Sequence, residues 1–333
     1  MKLVITDAAT LTGDGITEDA LDVFSKYADV TAYDLTTRDQ LVERLQDTEL
    51  VLCNKTVFTP SIFAQCPKLE YIGVCATGYN NIDTHSAITH DVTVCNAGVY
   101  ATDAVAQHTF GLILHFYNQV AAYHEAVQNG AWKQSTTFSP ILFPTQELTG
   151  KTLAVIGYGS IGRKVAAIAA AFDMKVLIVT RVKPCACPYT IVSMDEAFRL
   201  ADIVTLHVPL NPETEHLVDA ERLQTMKPHA LLVNTARGGL IVEEDLAWAL
   251  QNHVIAGAAL DVLTEEPMGD TPLMGLPNCI ITPHCAWTPL ETRMRLIQIA
   301  EENLRCYLDG EPRNVVAKPK PPRIFDPFFL DHM

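Results

Sequence analysis

The sequence predicts an α/β protein of two doubly wound units, each a parallel sheet with helices on both faces, and three observations carry that expectation. Short apolar runs alternate with helix-like stretches along most of the chain, the pattern of parallel strands joined by crossover helices. A segment over residues 103–117, too densely apolar for a solvated helix, separates two such series. The 333 residues are enough for about two ordinary domains, and the 48% hydrophobic content can give each a core.

The first series places strands at 2–6, 30–35, 50–54, 71–76 and 92–95, with helical stretches at 18–27 and 38–46. Thr102 or Asp103 can cap the dividing helix through a side-chain oxygen, and the helix is expected to pack between domains or subunits. Residues 118–148 are aromatic and polar without regular period, so an extended excursion is expected there. The second series places strands at 152–156, 175–179, 203–208, 230–234, 255–261 and 279–282. A last long helix over 289–308 leads through Gly310 to Asn314-Val315-Val316. If that helix returns the chain to the first unit, residues 102–289 form a domain inserted into one made of 1–101 and 290–333. The proline-rich stretch 318–333 lacks periodicity and reads as a surface tail.

A net charge of −15 argues against a sequence-independent grip on nucleic acid or anionic membrane, because both need surplus Lys and Arg. A small molecule is the expected partner. The start, MKLVITDA, lacks the basic and apolar regions of a secretory signal, and no apolar stretch approaches about 18 residues. Nine cysteines in apolar contexts read as reduced, buried thiols, which suggests the cytoplasm. Cys185-Ala186-Cys187, between Pro184 and Pro188, lacks a second pair or histidines at zinc-ligand spacing. It reads as a loop, and no metal is expected.

Gly157-Tyr158-Gly159-Ser160-Ile161-Gly162 follows one apolar run and opens a helical one, the setting a dinucleotide fingerprint requires. Gly157 permits the tight turn, Gly159 lets the backbone approach a pyrophosphate, and Gly162 lets helix and strand pack closely. The phosphates would meet the N–H groups of Ser160, Ile161 and their neighbours at the positive end of the helix. The next strand ends at Thr180-Arg181, where such sites usually carry an acid for the ribose hydroxyl. A hydroxyl and a cation in place of that acid favour a 2′-phosphate, so the reading leans towards NADP(H). Arg181 as a solvated strand-end residue, with either cofactor accepted, is the alternative.

Three further segments lie at strand ends, where open α/β sheets bind ligands: Asn234-Thr235-Ala236-Arg237-Gly238-Gly239, Leu260-Asp261 through Glu265-Glu266-Pro267, and Thr282-Pro283-His284-Cys285-Ala286-Trp287. Reducing a 2-keto acid needs a cation to hold the carboxylate and polarise the carbonyl, and Arg does this with a rigid fork. It also needs a proton donor that titrates near neutrality, which is His. A carboxylate beside that His fixes its tautomer and favours the imidazolium until hydride arrives.

Together these segments closely resemble the D-isomer-specific 2-hydroxyacid dehydrogenase family, over about residues 50–316. The resemblance implies a Rossmann dinucleotide-binding domain inserted into a flavodoxin-like substrate domain. It implies Arg237, Glu266 and His284 as the catalytic arginine, glutamate and histidine, with Glu265 a neighbour. Asp261 matches the residue that holds the nicotinamide carboxamide, and Val208-Pro209-Leu210 with Thr214 matches the segment bordering the cofactor. Thr235, Ala236 and Thr102 are further cofactor contacts, whereas His108 reads as structural. Cys75-Ala76-Thr77-Gly78-Tyr79-Asn80-Asn81-Ile82-Asp83 resembles the substrate loop, whose N–H groups at Ala76, Thr77 and Gly78 receive the carboxylate.

Gly-Tyr-Asn-Asn-Ile-Asp and His-x-Ala-Trp-Thr-Pro are similar to the branch of glycerate dehydrogenases and hydroxypyruvate or glyoxylate reductases, enzymes of EC 1.1.1. Trp287 reads equally as a residue near the substrate and as a packing aromatic. The family and the 118–148 excursion suggest a homodimer. The fold is shared by dinucleotide-sensing corepressors, a rival reading that fold alone does not exclude. Formate oxidation is a further rival, but relatives of that activity carry Gln where Glu266 stands.

Overall fold

The computed structural model describes residues 1–13, 15–182 and 186–319. Residues 320–333 of the expected tail, and Pro184 and Cys185 of the cysteine-pair loop, lie outside the described residues. The chain divides into two compact units, Met1–Tyr100 with the segment from Pro289 onward, and Ala101–Thr288.

The first unit opens with β1 (Lys2–Ile5), a 3-10 helix (Glu18–Lys26) and β2 (Asp29–Ala32). It continues through α1 (Arg38–Leu45), β3 (Leu50–Cys53), α2 (Pro60–Gln65), β4 (Tyr71–Val74), α3 (Thr84–Thr89) and β5 (Thr93–Cys95). Leu50–Cys53 and Tyr71–Val74 are buried throughout, which is why their residues run continuously apolar instead of alternating. Helix starts are written locally: the Asp83 side chain accepts from the Ser86 N–H at 2.7 Å, satisfying a donor that the first turn leaves unpaired.

The second unit holds α4 (Thr102–Asn118), α5 (Val120–Gln128), β6 (Thr152–Ile156), α6 (Ser160–Ala171), β7 (Lys175–Val179), β8 (Thr190–Ile191), α7 (Met194–Leu200) and β9 (Ile203–Leu206). It ends with α8 (Ala220–Thr225), β10 (Leu231–Asn234), a 3-10 turn (Gly238–Leu240), α9 (Glu243–Gln251), β11 (Gly257–Leu260) and β12 (Cys279–Ile281). α10 (Leu290–Leu308) and β13 (Val315–Ala317) then return the chain to the first unit.

Among the described residues the strands form two sheets, in the orders β13-β5-β4-β3-β1-β2 and β12-β11-β10-β9-β6-β7-β8. The second is parallel throughout, with its order reversing on either side of β6 and β9. The first is parallel except at one edge, where β13 runs antiparallel to β5. This departs from the all-parallel expectation. β13 arrives from α10 through a short turn rather than a crossover, and Asn96 and Asn314 tie its start to the sheet with a 3.0 Å N–H to carbonyl bond.

Three local expectations are corrected. The stretch 18–27 forms a 3-10 helix. Ala101 occupies the N-cap of α4, so neither Thr102 nor Asp103 caps it; Asp103 instead pairs with Lys164 at 2.9 Å. The 118–148 excursion begins with the helix α5, separated from α4 by Gln119 at φ 54°. Beyond α5 it is irregular, and Trp132, Phe138 and Ile141 are exposed, the last two by 91% and 92%.

Buried apolar side chains cover both faces of the second sheet. Ile156, Phe198, Leu206, Leu232, Leu246 and Leu260 belong to one cluster, and Ile113, Val155, Val165, Ile178 and Val233 to the other. This packing fixes the strand ends that carry the polar segments. The described cysteines are free thiols, with Cys53, Cys66, Cys75, Cys95 and Cys306 buried.

Candidate functional site

The second unit's polar segments gather where β6, β9, β10, β11 and β12 end. At the end of β6 the chain turns through Gly157 at φ 100°, where a Cβ would lie 2.5 Å from the carbonyl oxygen of His207 and 2.9 Å from Val208. A Cβ on Gly162 would lie 2.0 Å from the Gly157 carbonyl oxygen, so α6 can pack this tightly on its strand only with glycine there. A Cβ on Gly159 would meet nothing within 4 Å. That open space before the first turn of a 12-residue helix fits a pyrophosphate, which would accept from the N–H groups the helix leaves unpaired. Ser160 is exposed there, and Ile161 packs partly on the core.

The other expected cofactor residues lie on the loops that follow β7, β9, β10 and β11 and at the start of α4. The Thr180 hydroxyl donates to the Val182 carbonyl at 3.1 Å, and Arg181 is ion-paired with Glu213 at 3.0 Å, both side chains exposed. The Thr214 hydroxyl donates to the Pro209 carbonyl at 2.6 Å and accepts from the Asn211 N–H at 2.9 Å, closing the loop that follows Val208. Thr235 is buried and shares a 3.1 Å hydrogen bond with Thr109 of α4. The Thr102 hydroxyl is buried with no hydrogen-bond partner, and His207 Nε2, just past β9, is likewise unpartnered. Burial pulls the His207 imidazole down to about 4, so it stays neutral.

Asn234 shapes the turn that presents Arg237, donating to the Arg237 carbonyl at 2.8 Å and accepting from the Ala236 N–H at 3.0 Å. The guanidinium donates to the Ala236 carbonyl at 2.6 Å. Gly238 then brings this turn onto the next segment: a Cβ there would lie 1.9 Å from the backbone carbonyl carbon of Leu263. Glu243, at the start of α9, accepts from the Thr264 N–H and the Thr271 hydroxyl, each at 2.7 Å, and holds both ends of the loop carrying Glu266.

Glu266 reaches from that loop to His284. Its Oε1 accepts from the Leu263 N–H at 3.1 Å, and its Oε2 lies 2.6 Å from His284 Nδ1. A carboxylate can only accept here, so the proton sits on Nδ1 and Nε2 is the free end of the ring. His284 has φ 52°, a left-handed backbone costing on the order of 1–3 kcal/mol for such a residue. Its N–H donates to the carbonyls of Asp261 at 2.8 Å and Thr282 at 3.0 Å, which hold it there.

Asp261 organises the same turn from below. Its side chain accepts from the Thr282 hydroxyl at 2.6 Å and from the N–H groups of Cys285 and Ala286, each at 2.9 Å. Burial pushes its carboxyl up, but hydrogen bonds from His108, Thr282, Ala286 and Cys285 outweigh this and hold it below the usual carboxylate range. His108, read as structural, sits 3.1 Å from the Thr282 hydroxyl. Sequence reasoning missed Asn234 as turn builder, Glu243 as loop anchor and the orphaned His207; the acidic start of α9 is a sequence signal that could have drawn attention to Glu243.

In the first unit, the loop after β4 is fixed by its own bonds. The Thr77 hydroxyl donates to the Gly98 carbonyl at 2.5 Å, the Asn96 amide to the Thr77 carbonyl at 2.7 Å, and the Ala97 N–H to the Ala76 carbonyl at 2.9 Å. These bonds use hydroxyl and carbonyl groups of the expected substrate loop, which continues through Gly78. Asp7 was not anticipated: it is buried and accepts from the N–H groups of Asn54, Lys55 and Thr56 at 2.6–3.0 Å.

Residues 110–286 match the model of the D-isomer specific 2-hydroxyacid dehydrogenase NAD-binding domain. The chain is 38% identical to a hydroxypyruvate reductase of Blautia hydrogenotrophica over 96% of its own length and all of that protein. It is 37% identical to a glycerate dehydrogenase of Methylorubrum extorquens over 84% of this chain and 89% of the relative. The structure of an acyclic imino acid reductase in complex with NADPH and D-Arg superposes with a TM-score of 0.84 at 31% identity, covering 95% of this chain and all of that one. The fingerprint turn, the bonded Glu266–His284 pair and these likenesses lead to one assignment: the chain belongs to the D-isomer-specific 2-hydroxyacid dehydrogenase family.

Proposed function

We propose that this dehydrogenase reduces a small 2-keto acid, hydroxypyruvate or glyoxylate, to the D-2-hydroxy acid with a preference for NADPH, and works as a cytoplasmic homodimer. The observation that carries the chemistry is the 2.6 Å contact between His284 Nδ1 and Glu266 Oε2. It leaves Nε2 to give a proton to the carbonyl oxygen, while the carboxylate stabilises the imidazolium. Arg237 takes the substrate carboxylate and polarises the carbonyl, a task suited to its planar fork. When bound, the dihydronicotinamide supplies the hydride. Gly157, Gly159, Ser160, Ile161 and Gly162 would hold its pyrophosphate; Val208, Pro209, Thr214, Thr235, Ala236, Asp261 and Thr102 would border the rest. Ala76, Thr77 and Gly78 are assigned to substrate binding by the same family resemblance.

Thr180 and Arg181 support the NADPH preference, since no acid at the end of β7 repels a 2′-phosphate. The exposed Arg181–Glu213 pair is worth little in water and yields to a doubly charged phosphate. The exposed Trp132, Phe138 and Ile141 support a dimer, since apolar side chains gathered on one excursion favour a protein partner.

The test is initial-rate oxidation of NADPH and NADH with hydroxypyruvate, glyoxylate and phenylpyruvate. Rapid NADPH oxidation with the two small acids is expected; bound cofactor without turnover of any of the three would favour a sensing role, and strong preference for phenylpyruvate would correct the substrate.

A further inference from the structure

Three side chains of different chemistry converge beside His284. His108 Nε2, Asp261 Oδ1 and Cys285 Sγ lie within 4.8 Å of one another. His108 Nε2 stands 3.3 Å from Asp261 Oδ1, and Cys285 Sγ stands 3.6 Å from the same oxygen. Ligands about 2.0–2.3 Å from a tetrahedral zinc-type ion are separated by about 3.3 Å between nitrogen and oxygen, and by about 3.5 Å where one is sulfur. The two spacings to Asp261 Oδ1 match those edges.

The donor set also selects the cation. Nitrogen, sulfur and one carboxylate oxygen suit Zn²⁺ or Co²⁺, whereas Mg²⁺ and Ca²⁺ require oxygen ligands. The Thr282 hydroxyl, 2.6 Å from Asp261 Oδ1 and 3.1 Å from His108 Nε2, can hold a water in the fourth position. In the metal-free protein, protons on the hydroxyl, imidazole and thiol all meet at one carboxylate oxygen. A divalent cation can replace that convergence.

We propose that His108, Asp261 and Cys285 form an inhibitory binding site for a zinc-type divalent cation. On binding, the thiol proton leaves to solvent, the metal–sulfur bond forms, and the His108 ring proton moves to Nδ1. Asp261 Oδ1 gives up its contacts to the Thr282 hydroxyl and the Cys285 N–H. Those contacts shape the turn carrying His284, so giving them up displaces the proton donor. The inhibition, though not the binding, rests on His284 being the proton donor.

Titration of the full chain with Co²⁺ tests the site without reference to turnover. One Co²⁺ per chain is expected, with tetrahedral d–d bands and a thiolate-to-cobalt charge-transfer band. Cys285→Ala should lose the charge-transfer band, and His108→Gln should weaken binding at least about tenfold, the scale seen when a metal site loses support. The band surviving in folded Cys285→Ala, or wild-type affinity in His108→Gln, would overturn the site. In parallel, Zn²⁺ should lower wild-type keto-acid reduction and leave Cys285→Ala, whose basal rate is retained, resistant. Stoichiometric binding with undiminished turnover would overturn the inhibitory role alone.

Discussion

Glu266 Oε2 lies 2.6 Å from Nδ1 of His284, a residue held at φ 52° by the carbonyls of Asp261 and Thr282. The pair therefore joins two loops whose positions are set independently, one by Glu243 and one by Asp261. Reduction uses the imidazolium and oxidation the neutral ring, so the two directions should have opposite pH dependence. Glu266→Gln removes the charge facing the imidazolium. kcat/KM for reduction should fall by on the order of 10²-fold while the thermal transition stays in place. Near-normal turnover in a folded variant would mean that Glu266 only braces its loop.

Arg237→Lys should lower kcat/KM by on the order of 10²-fold while the thermal transition stays in place, because an ammonium cannot make the bidentate contact. The guanidinium's bond within the fold is a local one to Ala236, so little stability depends on it. Steady-state kinetics beside a melting curve checks both halves, and near-normal turnover would remove Arg237 from the mechanism.

Cofactor choice should respond to two substitutions in opposite directions. Thr180→Asp places a carboxylate where the 2′-phosphate is expected and should shift the NADPH/NADH ratio of kcat/KM towards NADH by on the order of tenfold. Glu213→Gln frees Arg181 from its partner at 3.0 Å and should shift the ratio towards NADPH. A wild-type enzyme that strongly prefers NADH would sink the assignment before either variant is made.

Gly238→Ala tests how the Arg237 turn meets the Glu266 loop. The new methyl would face backbone atoms of Leu263 and Thr264 at 1.9–2.3 Å, which cannot swing aside as a side chain can. The cost should be about 1–3 kcal/mol or more, read as a lower denaturant midpoint, with activity falling further than stability. A variant as active and stable as the parent would show that the segments separate freely.

Asp202 provides a stability prediction at the opposite end of the sheet. Burial pushes its carboxyl up, yet bonds from Lys227, the Thr152 N–H and His229 more than offset this and hold it at about 2, below the ordinary 3.8. A depressed carboxyl stabilises the fold above the unfolded-state value, and that contribution is lost as pH falls towards the folded value. Asp202→Asn should cost about 1–3 kcal/mol near neutrality, with the gap to wild type closing between about pH 4 and pH 2. Urea unfolding across that range checks it; turnover at neutral pH should not change.

Much of the fold was written locally. β-strand runs such as 50–53 and 152–156 are apolar because both faces of their sheets are covered, and the glycines of 157–162 announce their turn through spacing alone. The segments around Arg237, Glu266 and His284 were legible because each follows a strand and carries residues of unusual chemistry. β13 was not legible as antiparallel, since three apolar residues state no direction and the edge that receives them is set by where α10 ends. The cap of α4 escaped for a similar reason: Asp103 could bond its own helix or Lys164, and packing of α4 on α6 decided. Residue types and order thus determined which groups exist and at which strand ends they sit. The family resemblance already favoured Glu266 over Glu265, but only tertiary structure could bring its carboxylate to His284, because that contact depends on how two loops 18 residues apart are anchored, by Glu243 to α9 and by Asp261 to β11.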